Sequence, residues 1–224
     1  MKKLAVKSPT IDWSDESKWF NMPKQRRSRA TMLAILKAAI ELFADRGYNA
    51  TTPADIAMAA GVTTGSVYRR FPDKEAILYT VIEAYGKSRI REVTRLCDPD
   101  KWSDKTPKQI LAFYVEMTLS AYQHNAGIIR IVERRRLVDP IASRALFDWR
   151  EHIVSRFSLL LKKHSKLSLA EVRNQFRILH TILRGVLVHR ILADPKVLNS
   201  EVKLRDSDLK APFLAIALDQ MKNL

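Results

Sequence analysis

Tyr68, Arg69 and Arg70 follow a run of small residues, Thr63 to Ser66, in the segment VTTGSVYRRFP. Small hydroxyl side chains and one glycine let a backbone come close to a surface. The aromatic hydroxyl and the two guanidinium groups are able to donate hydrogen bonds to phosphates or to guanine edges. Because the outer face of so short a segment is almost entirely polar, we predict a helix that presents these residues to a major groove.

A second short helix must hold this segment in place, and its start is readable from the chain. Thr52 precedes Pro53 and Asp55, which is the pattern of a hydroxyl N-cap, a proline at the first helical position and an acid at the third. Gly61 ends that helix about two turns later. Ala57 lies four residues before Gly61, and two small residues at this spacing let two short helices cross closely, as in a helix-turn-helix.

A further helix start comes directly after this pair. Phe71 and Pro72 end the outer helix, and Asp73 is placed to cap the next one. Lys74 then lies at the positive end of the helix dipole, a slightly unfavourable position that a nearby phosphate would explain. Each of these features is common by itself and is more often structural, but their ordered conjunction over about 25 residues is rare.

The rest of the chain shows apolar residues at three- and four-residue spacing, which indicates amphipathic helices. The first begins near residue 29 and ends at Gly47, and the later ones cover about residues 73–96, 108–124, 126–135, 141–164, 169–193 and 209–222. No alternating strand pattern competes, so the fold class is all-α. Residues 1–25 form an extension with no clear period, expected to be loosely ordered and held by its aromatics Trp13, Trp19 and Phe20.

The composition limits the classes of function. A formal net charge of +15 over 224 residues favours a polyanionic partner, although an anionic membrane surface would also satisfy it. The single cysteine, Cys97, and the lack of a signal peptide or membrane span indicate a soluble cytoplasmic protein. The histidines have no metal-ligand spacing and no catalytic motif is present, so we expect no metal, no cofactor and no enzyme.

The helix predicted near residues 169–193 has apolar residues on two faces. One stripe contains Val172, Phe176, Leu179, Leu183 and Val186, and a second stripe offset from it contains Ile178, Ile182, Gly185 and Leu192. One face is able to bury within its own subunit, whereas the second needs another partner. The alternative is that both stripes belong to the intramolecular core.

The run AILKAAIELFADRGYNATTPADIAMAAGVTTGSVYRRFPDKEAIL, residues 34–78, resembles the DNA-binding domain of the tetracycline-repressor (TetR) family. The resemblance implies a DNA-binding domain at 26–72 with its helix-turn-helix at 52–71, and a helical ligand-binding and dimerisation domain at 73–224. It also implies a recognition helix at 63–71. Residues where the family usually contacts phosphates are Thr52, Thr63, Tyr68 and Lys74, and residues at or near its base contacts are Thr64, Gly65, Ser66 and Arg69. Histidine is frequent where Arg70 stands, and a longer or basic side chain is frequent where Thr64 stands, so the base preferences are open.

Two further expectations for the larger domain come from the same resemblance. The family pairs its last two long helices in a four-helix dimer interface, which here implicates Ile178, Ile182, Gly185, His189, Phe213, Ile216 and Ala217. The family also forms an effector cavity, which would fall within about residues 100–165. Its candidate lining residues are Trp102, Phe113, Tyr114, Met117, Tyr122, Trp149, His152 and Phe157, although aromatic residues at helical spacing are more often ordinary core. An inward arginine there would suit an acidic ligand.

The resemblance implies a homodimeric, ligand-responsive regulator of transcription, usually a repressor, that binds a near-palindromic operator in double-stranded DNA. Two other readings remain. The first alternative is a small-molecule sequestering protein whose DNA-binding fold no longer regulates, and the second is a general architectural DNA binder driven by charge. The basic run from Lys24 to Arg29, which includes Arg26 and Arg27, is either a solvated helix start or an arm that reaches an adjacent minor groove.

Overall fold

A computed structural model describes residues 11–13, 19, 23, 25–193 and 206–222, and throughout this part of the chain the regular elements are helices. They are α1 (Arg26–Asp45), α2 (Pro53–Ala59), α3 (Thr64–Tyr68), α4 (Lys74–Leu96), a 3-10 turn (Pro99–Trp102), α5 (Pro107–His124), α6 (Ala126–Arg135), α7 (Pro140–Lys162), α8 (Leu169–Leu192) and α9 (Asp206–Gln220). The predicted all-α fold, a helix-turn-helix followed by a larger helical part, is confirmed.

Most helix ends fall within two residues of the predicted ones because their caps are local. Thr106 and Ser168 each accept a hydrogen bond from the amide three residues on, in complete capping boxes at the starts of α5 and α8. At the end of α1, Gly47 has φ +87°, the left-handed conformation in which glycine is favoured. Its predicted role as the residue that stops α1 is confirmed.

The ends of two helices differ from the prediction. Helix α1 begins at Arg26 rather than near residue 29, so the basic run is already helical there. Helix α9 begins at Asp206, and Pro212 therefore lies inside it rather than in its first turn. A proline keeps a helical φ but removes one backbone N–H, so the helix continues past Pro212 with one hydrogen bond fewer.

The coordinates divide into two compact units, each described here by itself. The head unit comprises the described residues of 11–89 and 127–147, and the body unit comprises the described residues of 90–126 and 148–222. Helices α4 and α7 contribute residues to both. The functional boundary at residue 73, which follows the DNA-binding motif rather than the packing, stays a prediction.

The head unit has an apolar centre built by its first helices. Ile35, Leu36 and Phe43 of α1 are buried, as are Ile56 of α2 and Val67 of α3. Part of the N-terminal extension also contacts this unit: the ring of Trp19 lies 4.6 Å from that of Tyr79, and the Asp12 amide donates to the Ser88 hydroxyl at 2.9 Å. Phe20 and Lys24 lie outside the described residues.

The body unit buries one continuous cluster of side chains from α5, α7, α8 and α9. It includes Phe213 of α9 and the fully buried side chains of Tyr114, Phe157, Phe176 and Leu183. This cluster supplies the rigid support on which the outward faces of α8 and α9 depend. None of the helices in the described segments is both long enough and apolar enough to traverse a bilayer.

Candidate nucleic-acid interface

Thr52 and Asp55 fix the start of α2 by a reciprocal cap. The Asp55 amide donates to the Thr52 hydroxyl at 3.1 Å, and the Thr52 amide donates to the Asp55 carboxylate at 2.8 Å. Pro53 occupies the first helical position, so the predicted cap is confirmed. The side-chain and backbone hydrogen bonds from Thr52 lower the pKa of Asp55. Because the Thr52 hydroxyl also donates to Asp55 at 2.6 Å, a phosphate contact would require it to turn, and that contact stays a prediction.

The turn between α2 and α3 depends on Gly61. Its φ of +65° is left-handed, and the Val62 amide donates to the Ala57 carbonyl at 2.9 Å. Thr63 then caps α3 by accepting from the Ser66 amide at 3.2 Å. The α-helix ends at Tyr68, three residues before the predicted end at Phe71. The Arg70 and Phe71 amides still donate to the Val67 carbonyl, at 2.9 and 3.0 Å.

The side chains of this segment divide between inside and outside. Val67 and Phe71 are 1% and 0% exposed, and they anchor the segment to the head unit. Thr63, Thr64, Gly65 and Arg69 are exposed, Ser66 is half-buried, and Tyr68 is 53% exposed. The structure therefore brings the predicted contact residues together on one outward surface of the head.

Arg69 and Arg70 have different surroundings. Arg69 is exposed, whereas the Arg70 guanidinium donates to the Ser66 carbonyl at 2.9 Å and to the Ser28 hydroxyl at 3.2 Å. Arg70 thus ties the end of α3 to the first turn of α1. Sequence reasoning missed Ser28, since a pairing across 42 positions leaves no local signal.

Lys74 is also held within the head unit. Its ammonium donates to the carbonyls of Tyr48 and Thr51, each at 2.8 Å, and lies 4.1 Å from the centre of the Tyr48 ring. Burial, then the charge of Arg135, lowers the pKa of Lys74. These contacts give the lysine a structural role beside the helix dipole, in addition to the phosphate contact, which stays a prediction. Tyr48 was not singled out from the sequence, although its position next to Gly47 in a turn is a usable signal.

Arginines surround the start of α1. Arg26, Arg27 and Arg29 are exposed at its first turn, which contains no acidic residue, and the N-cap Gln25 makes no side-chain hydrogen bond. Cations at the positive end of a helix dipole are unfavourable unless an anion lies close to them. Through the bond between Arg70 and Ser28, this cationic turn lies next to the end of α3.

The candidate effector residues lie in the body unit, where they pack against one another. Trp102 and Phe113 have ring centres 4.8 Å apart, and Tyr114 lies edge-on to Phe157 at 5.1 Å. Met117 is also buried. These side chains form the core of the unit, as is usual for aromatic residues at helical spacing. Their role in lining a cavity stays a prediction.

The other three candidates are only half-buried. They are Tyr122, Trp149 and His152. The Nε2 atom of His152 lies 2.9 Å from the Thr94 hydroxyl, and burial, followed by the charge of Arg156, lowers the pKa of the imidazole. Outside this set, His180 is 6% exposed, with Nδ1 2.8 Å from the Tyr114 hydroxyl and a buried Nε2 that has no hydrogen-bond partner among the described residues. Nothing in the sequence pointed to His180.

The two stripes of α8 are present, with one exchange between them. Val172, Phe176, Leu179 and Leu183 are buried, but the next buried residue is Leu187, and Val186 is 40% exposed. Val186 therefore belongs to the outer stripe with Ile178 and Ile182, which are 51% and 42% exposed. Steps of three and of four both stay near one helical face, so the rotation of α8 against the body core decides that Leu187 is buried and Val186 is not.

The candidate dimer residues of α9 divide in the same way. Ile216 is 40% exposed, but Phe213 and Ala217 are 2% and 0% exposed and belong to the core of their own subunit. The structure thus places these two residues against α5 and α8 of this chain rather than at its surface. On α8, Gly185 and His189 are exposed. Apart from the neighbouring backbone of α8, no atom of the described residues lies within 4 Å of a Cβ built on Gly185.

A short capped helix and an outward second helix anchored by two buried residues define a helix-turn-helix protein. Residues 35–80 match the family described as bacterial regulatory proteins, tetR family. Residues 35–80 therefore form a DNA-binding domain of the TetR family, and the helical body follows it. The predicted family is confirmed.

Relatives and solved structures agree with this assignment. The chain is 29% identical over 113 residues to the fatty acid metabolism regulator protein of Bacillus subtilis strain 168, covering 50% of this chain and 56% of that protein. It is 29% identical over 148 residues to the HTH-type transcriptional repressor BepR of Brucella suis biovar 1, covering 61% and 69%. A bacterial regulatory protein in the tetR family from Rhodococcus RHA1 has the same fold, with a TM-score of 0.64 at 20% identity over 85% and 96% of the two chains.

The matches with these two relatives cover only part of each chain. The matched part spans just over half the length of the B. subtilis relative. Both relatives are named as regulators of metabolism or transcription, which agrees with the prediction that the chain is not an enzyme.

Proposed function

We propose that the protein is a homodimeric regulator of transcription that binds a near-palindromic operator through α3 and leaves it when a small molecule binds the body unit. The observation that carries the proposal is the division of α3, with Val67 and Phe71 buried beneath while Thr63, Thr64, Tyr68 and Arg69 face outward. A side chain in a major groove must reach base edges while the helix stays fixed on its own domain. In this proposal the exposed Arg69 reads guanine.

The charge of the molecule supports the choice of partner. The net charge is +15, and the cationic first turn of α1 lies beside the end of α3. A phosphate backbone passing this point would offset the arginines there and the positive end of the α1 dipole. Arg26 and Arg27 then act as backbone or minor-groove contacts, whereas base discrimination falls to α3.

Selection from random duplex DNA tests the proposal against its alternatives. The regulator yields a near-palindromic consensus whose half-sites lie roughly 34–36 Å apart or somewhat more. A sequestering protein or an architectural binder would give salt-sensitive binding with no consensus, and either outcome would overturn the proposal. With roughly 6 to 10 phosphate contacts, affinity should fall by about 10³ to 10⁵ between 50 and 200 mM salt.

Single substitutions then assign the roles. Arg69→Ala should change the preferred base at one position of each half-site, at roughly 1 to 3 kcal/mol. Lys74→Ala should weaken binding to all sequences alike, and its unfolding must be measured as well, since Lys74 also supports the turn at Tyr48. Arg95→Ala, at an exposed arginine of α4 in the body unit, is the matched control that should change neither property. An unaltered base preference in every α3 variant would refute direct readout.

Dimerisation is supported by the outer stripe of α8. Ile178, Ile182 and Val186 recur every four residues and remain 40–51% exposed, and the exposed Gly185 allows a close helix approach. Ile182→Asp should convert a particle of twice the chain mass into a monomer in light scattering. Leu137→Asp, at an exposed aliphatic residue of the head unit, is the matched control and should leave the mass unchanged. A wild-type monomer at operator-binding concentrations would contradict this part.

An effector in the body unit is supported by the unpartnered Nε2 of His180, because a buried polar atom without a partner is uncommon. Native mass spectrometry of the purified protein is the direct test for a bound molecule. The B. subtilis relative is named as a regulator of fatty acid metabolism, so acyl compounds are the first effectors to assay. Release of operator DNA by a bound compound is expected, and binding that leaves operator affinity unchanged would contradict the coupling.

A further inference from the structure

A half-open cavity of about 300 Å³ lies within the head unit, between the end of α1 and α6. One wall is the turn from Arg46 to Ala50, and the other contains Arg134 and Arg135 of α6. This volume is at the lower end of the range in which small ligands bind. These surfaces belong neither to the helix-turn-helix nor to the outer stripe of α8.

Three arginines contribute to the lining, and none of its described residues is acidic. Arg135 pairs with Asp139 through Nη2 at 2.9 Å, but its buried Nε has no hydrogen-bond partner. Arg46 and Arg134 are exposed, and neither forms an ion pair with another described residue. Guanidinium groups without an ion-pair partner bind carboxylates and phosphates through paired hydrogen bonds.

Apart from Asn49 and the hydroxyl of Tyr48, the remaining side chains of the lining are apolar. Phe43 and Ile131 are 1% and 2% exposed, and Val138 lies at the mouth at 75% exposure. The Tyr48 ring forms part of the wall, and the guanidinium carbon of Arg135 lies 4.4 Å from the ring centre. An apolar floor beneath the guanidinium groups of Arg46 and Arg134, which form no ion pair with the described residues, fits a molecule that has one anionic group and a compact hydrophobic body.

We infer that this cavity binds a small organic anion, a carboxylate or phosphate attached to a compact apolar group. The anion bridges Arg134 of α6 and Arg46 of the turn, and the apolar group lies against Phe43 and Ile131. The cavity is separate from the proposed effector site, which lies in the body unit. Because the turn leads directly to the N-cap of α2, an occupied cavity holds α6 and the start of the helix-turn-helix in one arrangement.

Amide NMR of the full-length protein locates the binding. The probes are benzoate and phenyl phosphate, with benzamide as the uncharged isostere of benzoate, all titrated at constant ionic strength. Saturable shifts of the Gly47, Asn49 and Ala50 amides are expected at roughly millimolar concentration for both anions and not for benzamide. Equal shifts from benzamide, shifts confined to the body unit, or no saturation by any anion would overturn the proposal.

Two variants test the contribution of charge. Arg134→Ser should weaken benzoate binding about tenfold, the effect expected for one charge-assisted pair. Val138→Asp places a carboxylate at the mouth and should weaken it by at least as much, whereas Val138→Asn, of nearly equal size, should not. Both positions are exposed, so melting temperatures should stay close to that of the wild type. Indistinguishable affinities of the Asp and Asn variants would contradict an anion site.

Discussion

The buried imidazole of His180 makes stability depend on pH in a range where carboxylates contribute little. Burial, followed by the charges of Arg184 and Arg150, lowers the pKa of His180 from 6.5 to about 3. The folded chain therefore holds a neutral imidazole, while the unfolded chain binds a proton below a pKa of roughly 6.5. Because the unfolded state binds more protons, the contribution of His180 to the free energy of unfolding is complete above this pKa and is lost as the pH falls below it.

The size of the effect follows from the two pKa values of His180, about 3 when folded and 6.5 when unfolded. Between pH 7 and pH 5, proton binding by the unfolded chain lowers the free energy of unfolding by about 2 kcal/mol. The loss continues at about 1.4 kcal/mol per pH unit until the folded imidazole also takes a proton. Tyr114, whose hydroxyl lies 2.8 Å from Nδ1, keeps that side of the ring occupied.

Urea unfolding at fixed protein concentration and at pH 7, 6 and 5 measures this dependence. His180→Phe should flatten the pH profile by about 2 kcal/mol relative to the wild type over this range. His152→Asn is the control: its imidazole, whose pKa is also lowered, is only half-buried. Parallel profiles for the wild type and His180→Phe would refute the reasoning. An imidazole of His180 that titrates near 6.5 by NMR would refute it directly.

Four further outcomes are expected. Thr52→Ala removes the hydroxyl arm of the α2 cap and should lower the melting temperature by about 2–4 °C in a thermal scan, whereas Thr52→Ser should not. Gly61→Ala should cost about 1 kcal/mol in urea unfolding because its φ is +65°, although its Cβ would meet no atom within 4 Å. Gly65→Ala should fold at least as well as the wild type, because residue 65 is helical and its Cβ would come no closer than 4.0 Å to Thr63. The same variant should bind operator DNA more weakly in a gel-shift assay if the backbone approaches the duplex. Burial raises the pKa of the Cys97 thiol to about 12, so it should react with a disulfide reagent only after unfolding, as followed by absorbance.

The parts of the motif that were readable from the sequence depend on residues a few positions apart. The Thr52 cap needs only Pro53 and Asp55, and the turn needs only Gly61 with a left-handed φ. Such features form from one short segment whatever lies around it. The buried stripe of α8 was readable for the same reason, since helical spacing alone brings Phe176 and Leu183 to one side.

The parts that were missed depend on distant segments. The exchange of Val186 for Leu187 follows from how α8 is rotated against the body core, which its own residues do not determine. Phe213 lies in that core because α9 packs on α5, a contact across about a hundred positions. The carbonyl partners of Lys74 lie 23 and 26 positions away in the sequence. From the sequence alone, a cation beside a helix dipole indicated a nearby phosphate, whereas the folded chain also supplies hydrogen-bond partners for it.

The cations of the head unit therefore fall into two groups, and the net charge alone could not separate them. Arg70 and Lys74 donate to carbonyls within the unit and hold α3 and the turn at Tyr48 in place. Arg69 and Arg26 are exposed and remain available to a partner. Substituting the first group should weaken binding to every sequence by disturbing the position of α3, and only Arg69 and its exposed neighbours should alter which bases are preferred. If one helix reads few bases, useful specificity requires a second copy of α3 at a fixed spacing, which the proposed pairing of two chains through the outer stripe of α8 would provide.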